Sequence, residues 1–432
     1  MADGIELRYD PLLLPTAQHR AGLAGLLVLR HSLELRGMEE LPTCDVDNEG
    51  IVHIGLTKAS LQLLFDDLFD ADWEERRSKN EPKGTAFKNP PRAVSVETGE
   101  GKKPGTQWVY EVLVPKAGFL TALGVPNIWR KLWRDAIWAT LRGRPKSRLP
   151  YEQRRDGKPV EAAGKLWADL THKKLGAQKP TAFSEALLVG AQSVTADGVA
   201  FEGGAGETLL LYFWPVVTLV GQARRVKTER KDGQTRTTED DAGYVFTVPD
   251  VSDVAGFVED FPGVVAGLSE TAGRDGYRPV DAILAIPRQG ALEYVYHLHM
   301  LAAAKAAGGE LSYSATGFET YQLVKRGNNV PIVSAGRVEA SERLATDYAA
   351  IRSGYWSPLF RAQVMQNLLQ NHQHGDVPWY RGFGELFARQ DWHLFAGEAS
   401  TAFAHDARER LGRDARVGAG RVMAATGGEV DG

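Results

Sequence analysis

A chain of 432 residues with 43% hydrophobic and 25% charged residues has the composition of a soluble globular protein, long enough for two or three domains with separate cores. Its net charge of −4 excludes a protein that coats nucleic acid over its whole surface, but leaves room for binding through local patches. The single cysteine, Cys44, excludes an internal disulfide and a cysteine-only zinc site, which points to a reducing, cytoplasmic setting.

The first residues, MADGIELRYDP, carry no signal-peptide pattern. Ile5, Leu7 and Tyr9 alternate as a short strand, and a helix follows that Thr16 can cap and Gly37 can end. Its apolar run from Leu23 stops at Arg30, too short to cross a bilayer, so no membrane association is expected. Residues 50–56 alternate as a strand. Thr57 caps a second helix, with Leu61, Leu64, Phe65, Leu68, Phe69 and Trp73 expected inside and Asp66, Asp67, Asp70, Asp72, Glu74 and Glu75 on a solvated face. Residues 76–105 lose all helical period, hold eight Lys/Arg against three Glu, and read as a long, basic, irregular insertion. Gln107 to Val114 alternates as a strand.

Pro126 to Lys158 follows. Asn127 can cap a helix whose inner face is Trp129, Leu132, Trp133, Ala136, Ile137, Thr140 and Leu141. Gly143 and Pro145 are expected to stop it and to open a basic loop. From Trp129 to Lys158 ten Lys/Arg face only Asp135, Glu152 and Asp156, a local charge of +7 on an acidic chain. Such a patch suits a polyanion, although charge runs are commonly just solvated.

Residues 159–205 read as helix, then loop. Leu209 to Val220 (LLLYFWPVVTLV) reads as a buried strand, with Pro215 at a bend or edge. Residues 221–241 form a polar excursion with Asp232-Gly233 as its turn, and Tyr244 to Val248 returns as a strand. Ile283 to Ile286 is a short strand and Gln289 to Ala307 a helix. Residues 317–338 are two strands around Lys325–Asn329. From Glu339 on, the pattern is helical.

Three sets of residues invite a catalytic or metal reading. Asp66, Asp67 and Asp70 match the aspartate-rich pattern that holds Mg²⁺ against a diphosphate, an alternative function that the expected strands disfavour. His297 and His299, two apart on a helix, diverge. His372 and His374 fall in NHQHGD, expected as a loop, with no supporting ligand pattern. There is no phosphate-binding P-loop, dinucleotide fingerprint, nucleophile elbow or HNH-like cluster. The sequence therefore argues for binding rather than catalysis, with no cofactor and no metal.

The candidate nucleic-acid contacts are Lys83, Lys88, Asn89 and Arg92 in the first basic stretch. In the second they are Arg130, Arg134, Arg142, Arg144, Lys146 and Arg148. In the third they are Lys325, Arg326, Asn328 and Asn329. Lys and Arg supply phosphate contacts, and Asn can read base edges, adenine above all. Asn328-Asn329 has a competing explanation, since Asn tolerates left-handed turns.

Several segments together resemble the large subunit of CRISPR Cascade complexes: LPTAQHRAGLAGLL, LQLLFDDLFDADWEE, LWRDAIWATLRGRPKSRLPYE, KRGNNV and PWYRGFGELF. The resemblance is to the Cmx subtype, grouped with type I-B and type I-MYXAN systems, and it runs from about residue 9 to 387. It implies a non-enzymatic subunit of an antiviral ribonucleoprotein. Such a subunit sits where the guide RNA (crRNA) has its 5′ handle, beside the handle-capping, backbone and small subunits. It implies recognition of the protospacer-adjacent motif in double-stranded target DNA, a start to duplex opening, and a dock for the helicase-nuclease. The family usually ends in a helical bundle resembling the small subunit. The expected fold is α+β: a mixed α/β portion at 1–338 with a β-sheet core and basic loops, then a helical bundle at 339–432.

Overall fold

The computed structural model describes residues 4–82, 88–96, 105–142, 145–172, 180–184, 186–191, 201–231, 234–273, 276–306, 311–327, 329–352, 358–375, 377–378 and 380–382. The chain opens with β1 (Gly4–Tyr9) and α1 (Ala17–Leu35), then β2 (Thr43–Val46), β3 (Val52–Thr57) and α2 (Lys58–Leu68). Next come β4 (Ala71–Ser78), β5 (Arg92–Val96), β6 (Gly105–Pro115), α3 (Gly118–Ala122), α4 (Asn127–Ile137), α5 (Pro145–Arg155) and α6 (Glu161–Leu170). The short β7 (Thr181–Ala182) and β8 (Glu202–Gly203) precede α7 (Ala205–Leu211), β9 (Leu219–Lys231), β10 (Gln234–Val251) and α8 (Val254–Ala266). The last described elements are β11 (Ile283–Leu284), α9 (Gln289–Ala306), β12 (Ala315–Leu323), β13 (Ile332–Glu339), α10 (Glu342–Ala349) and α11 (Pro358–His374). The fold is α+β.

Among the described residues three sheets carry the strands, ordered β1-β3-β2, β4-β6-β5 and β11-β9-β10-β12-β13, besides the β7-β8 pair. All pairs among them are antiparallel except β11 with β9. The core is organised around α1. Thr16 caps it through His19 N, and Gly37 ends it at φ +70°. Nearly every side of α1 is buried, as a helix through the middle of a core must be. Gly22 and Gly25 allow the backbone of Leu210 and Phe213 to lie against it: a Cβ at either glycine would stand 2.2 Å from a carbonyl oxygen. A buried carboxylate, Asp250 of β10, then ties α1 to the sheet. Arg20 of α1 reaches it at 2.5 Å, and Arg337 of β13 binds its other oxygen.

Several expectations are corrected. Leu209 to Val220 is not one strand. Glu207 accepts the Gly204 N–H and opens α7, Pro215 sits in the first turn of a 3₁₀ segment (Trp214–Val217), and the strand begins only at Leu219. This run is buried on all sides, so its hydrophobicity carries no period to tell helix from strand. The second helix ends at Leu68, and Trp73, Glu74 and Glu75 belong to β4. The insertion at 76–105 is partly regular, since β4 runs to Ser78 and β5 adds a third strand through Arg92–Val96.

The basic loop after residue 142 is also corrected. The helix continues past Ile137 as a π-turn over Trp138–Arg142, and α5 starts at Pro145. Proline at the start of a helix lacks only an N–H that has no intrahelical partner there, so Pro145 opens a helix as readily as it stops one. Asn127 is the first helical residue, with Pro126 in the cap position.

Candidate nucleic-acid interface

The acidic residues of α2 and the turn after it are all engaged by cations of the same chain. Asp67 accepts both terminal nitrogens of Arg36 at 2.7 Å. Asp66 accepts the Val160 N–H at 2.9 Å and pairs with Arg154 at 3.2 Å, and Asp70 pairs with Lys116 at 3.3 Å. Each carboxylate is committed to a different cation, so the expected solvated face is instead a set of ties to α1, α5 and the end of β6. This removes the geometric basis of the Mg²⁺–diphosphate alternative. Among the described residues no three His, Cys, Asp or Glu side chains converge as a metal site. His297 is buried, His299 meets the Tyr313 hydroxyl at 2.9 Å, and His372 and His374 lie in the last turn of α11 rather than in a loop.

The second basic stretch is held down by its aromatic residues. Trp129 Nε1 donates to Ser269 O at 2.9 Å and Trp133 Nε1 to Pro215 O at 2.8 Å, which fixes α4. Its charges are largely spent within the protein. Arg142 is buried, donates to Ala186 O at 2.8 Å and lies over the Phe69 ring, so the expectation that it reaches a phosphate is corrected. Arg134 pairs with Glu74 at 2.8 Å and Arg148 with Glu152 at 2.9 Å. Arg130 binds Thr121 Oγ1 at 2.5 Å. Lys146 lies on α5, and Arg144 falls outside the described residues.

In the first stretch Lys88 and Asn89 both reach Glu111, at 3.4 and 3.3 Å. Arg92 is exposed on the edge strand β5, with Glu75 at 4.0 Å. Lys83 lies outside the described residues.

The third stretch differs. Val324 N binds Pro331 O at 3.2 Å, and Arg326 and Asn329 exchange backbone bonds of 2.8 and 3.0 Å, closing a two-residue turn. Gly327 stands at φ +61° in that turn, a conformation glycine adopts without strain. Lys325, Arg326 and Asn329 are all exposed, and among the described residues neither cation makes an ion pair. Asn328 falls outside the described residues.

Beside this turn stands a feature that the sequence pattern marks only as a polar excursion. β10 pairs with β12 from Tyr244 onward, but with β9 from Gln234. Residues 224–231 and 234–241 therefore leave the sheet as a two-stranded ribbon, roughly 25 Å long by the rise of antiparallel strands. It leaves through a bulge between Asp241 and Tyr244, with Gly243 at φ +96° packed against Leu323 O. Bulges bend a strand and increase its twist. Between Arg224 and Thr238 the sequence has six Lys/Arg against Glu229 and Asp232, whereas Glu239, Asp240 and Asp241 mark the base. Because Leu323 pairs with Tyr244, the Lys325–Asn329 turn and the ribbon rise from the same end of the five-stranded sheet. The signal was legible as two polar, threonine-rich runs around Asp232-Gly233.

The chain is thus an α+β body whose five-stranded sheet carries, at one end, two hairpins rich in Lys and Arg. The chain belongs to the type I-B CRISPR Cas8b family: the Cas8b N-terminal domain model matches residues 41–308 and the Cas8b C-terminal domain model matches 315–423. Its role is that of a Cascade large subunit in type I-B CRISPR defence, within a complex of guide RNA, DNA and further Cascade subunits. No curated protein matches the chain. β12 and β13 lie in the second matched region, and β12 bonds to β10 in the first, so one sheet spans both. Among the described residues no helix is long and apolar enough to cross a membrane.

Proposed function

We propose that this subunit reads the protospacer-adjacent motif and starts duplex opening through the sheet end that carries the Lys325–Asn329 turn and the β9–β10 ribbon. The observation that carries the reading is their shared end of one sheet, fixed by the Leu323–Tyr244 pairing. A two-stranded ribbon fits the major groove of B-DNA, and cations beside it can hold phosphates. Lys325 and Arg326 take phosphates, and Asn328 and Asn329 take base or sugar edges. Arg144, Lys146, Arg92 and Lys83 are assigned to phosphates of target DNA or guide RNA. On the same reading the chain is non-catalytic. Its partners are the guide RNA, the target duplex, the backbone, handle-capping and small subunits, and the helicase-nuclease. Residues 1–338 carry the nucleic-acid and partner contacts and 339–432 form a helical domain.

The test is N329A, alongside N328A, in the assembled complex on a panel of adjacent-motif sequences. Loss of a bidentate base contact changes preference among motifs by about 1–3 kcal/mol. Equal weakening on every sequence would assign the turn to backbone contacts and remove the readout role.

A further inference from the structure

A second place on the molecule has the chemistry of a nucleotide site, well away in sequence from both hairpins. The first turn of α4 (Pro126, Asn127, Ile128), Lys131 one turn on, and the loop residues Glu270 and Tyr277 bound a cleft of about 350 Å³. That volume is within the range of small-ligand pockets. The loop wall is held in shape. Trp129 Nε1 of α4 donates to Ser269 O at 2.9 Å, Gly273 N binds Arg278 O at 2.7 Å, and Val280 N binds Thr271 O at 2.9 Å. Gly276, at φ +73°, makes the reversal that presents Tyr277.

Tyr277 is 49% exposed. The Arg278 guanidinium lies 5.1 Å from its centroid. Arg278 is itself buried, and is held by Asp135 at 3.1 Å and by the Tyr244 hydroxyl at 3.2 Å. A fixed cation thus orients the ring from within, and the ring forms part of the cleft lining. Lys131 adds an exposed ammonium and Glu270 an exposed carboxylate on the same lining.

An aromatic platform, a cation and a hydrogen-bond acceptor around one cleft match the base face, the phosphate and the base edge of an unpaired nucleotide. The base stacks on the ring, the phosphate meets the ammonium, and an exocyclic amine donates to the carboxylate. Duplex DNA does not fit, because its base faces are already covered by their neighbours. We propose that this cleft holds one unpaired nucleotide bearing an exocyclic amine, stacked on Tyr277 with its phosphate on Lys131 and its amine on Glu270. The inference rests on the nucleic-acid reading above but concerns a different strand state and different residues.

The test uses the full chain and fluorescein-labelled dC8, dT8, C8 RNA and a duplex of equal length, followed by anisotropy. Tyr277→Ala should weaken dC8 binding about 5- to 100-fold, the range of a single lost base–aromatic stack, while Tyr277→Trp retains it. Lys131→Ala should lower the single-strand salt slope by about 0.7. Glu270→Ala, which removes the acceptor, should erase a preference for dC8 over dT8. A greater effect of Tyr277→Ala on dC8 than on C8 RNA assigns the nucleotide to displaced DNA, and the reverse assigns it to the guide. Wild-type dC8 binding by Tyr277→Ala, or no single-strand binding by the wild-type chain, overturns the proposal. The cleft and the sheet end can fail separately. If Lys325→Ala/Arg326→Ala loses duplex binding while Tyr277→Ala changes nothing, the cleft fails and the sheet-end function stands. If Tyr277→Ala loses dC8 binding while Lys325→Ala/Arg326→Ala binds duplex as the wild type does, the sheet-end function fails and the cleft stands.

Discussion

Asp67 ties the start of the chain together: its carboxylate, largely buried, grips Arg36 at the end of α1 through two bonds. Charge-assisted bidentate pairs of this kind are the stronger class of ion pair. Asp67→Asn is therefore expected to cost about 1–3 kcal/mol in a urea titration, far above the ±0.5 kcal/mol typical of a solvated surface site. A shift of the midpoint within error of zero would restore the solvated-face reading. Two histidines set a pH response. Burial, foremost, pushes His19 from an ordinary 6.5 down to about 4, and burial followed by the charge of Arg352 does the same to His297. A group whose folded value is depressed is protonated first in the unfolded chain. Its contribution to stability is therefore present above about 6.5 and is lost as pH falls toward about 4. Urea midpoints should fall between pH 7.5 and pH 5, and His297→Gln should flatten that slope; a midpoint constant across this range would contradict the assignment.

Among the elements, α1 depends on its small residues. Gly22→Ala places a Cβ 2.2 Å from Leu210 O, which is backbone and cannot move aside. The expected cost is about 1–3 kcal/mol, as for other overpacked contacts. Gly164→Ala in α6 meets nothing within 4 Å and should stabilise by about 0.5–1 kcal/mol. Thermal melts of the two variants should move in opposite directions, and a common direction would refute the packing account. The ends of α1 and the start of α2 were legible because caps are local: Thr16, Gly37 and Thr57 do their work within a few residues. The run from Leu209 to Val220 was not, because the choice between helix and strand there is made by α1 packed against it. Nor was the fate of Arg142, whose acceptor, Ala186 O, is supplied by a distant part of the chain. The ion partners of Asp66, Asp67 and Asp70 were hidden for the same reason.

At the scale of the whole molecule, a dense run of positive charge proved a poor guide to a free positive surface. The cluster around α4 and α5 is mostly paired or buried, whereas the short Lys325–Asn329 turn keeps its described cations exposed at the end of a sheet. That sheet joins the two matched regions, so a ligand at its end touches both halves of the chain at once. The central claim is that duplex DNA is engaged there. It is tested most directly by the salt dependence of target-duplex binding by the assembled complex carrying Lys325→Ala/Arg326→Ala. Each B-DNA phosphate neutralised contributes about 0.9 to the slope of log K against log salt. The account predicts a slope reduced by roughly 1.8, equally on matched and mismatched duplexes, with the complex still assembling. An assembled double variant that binds with an unchanged slope would contradict it.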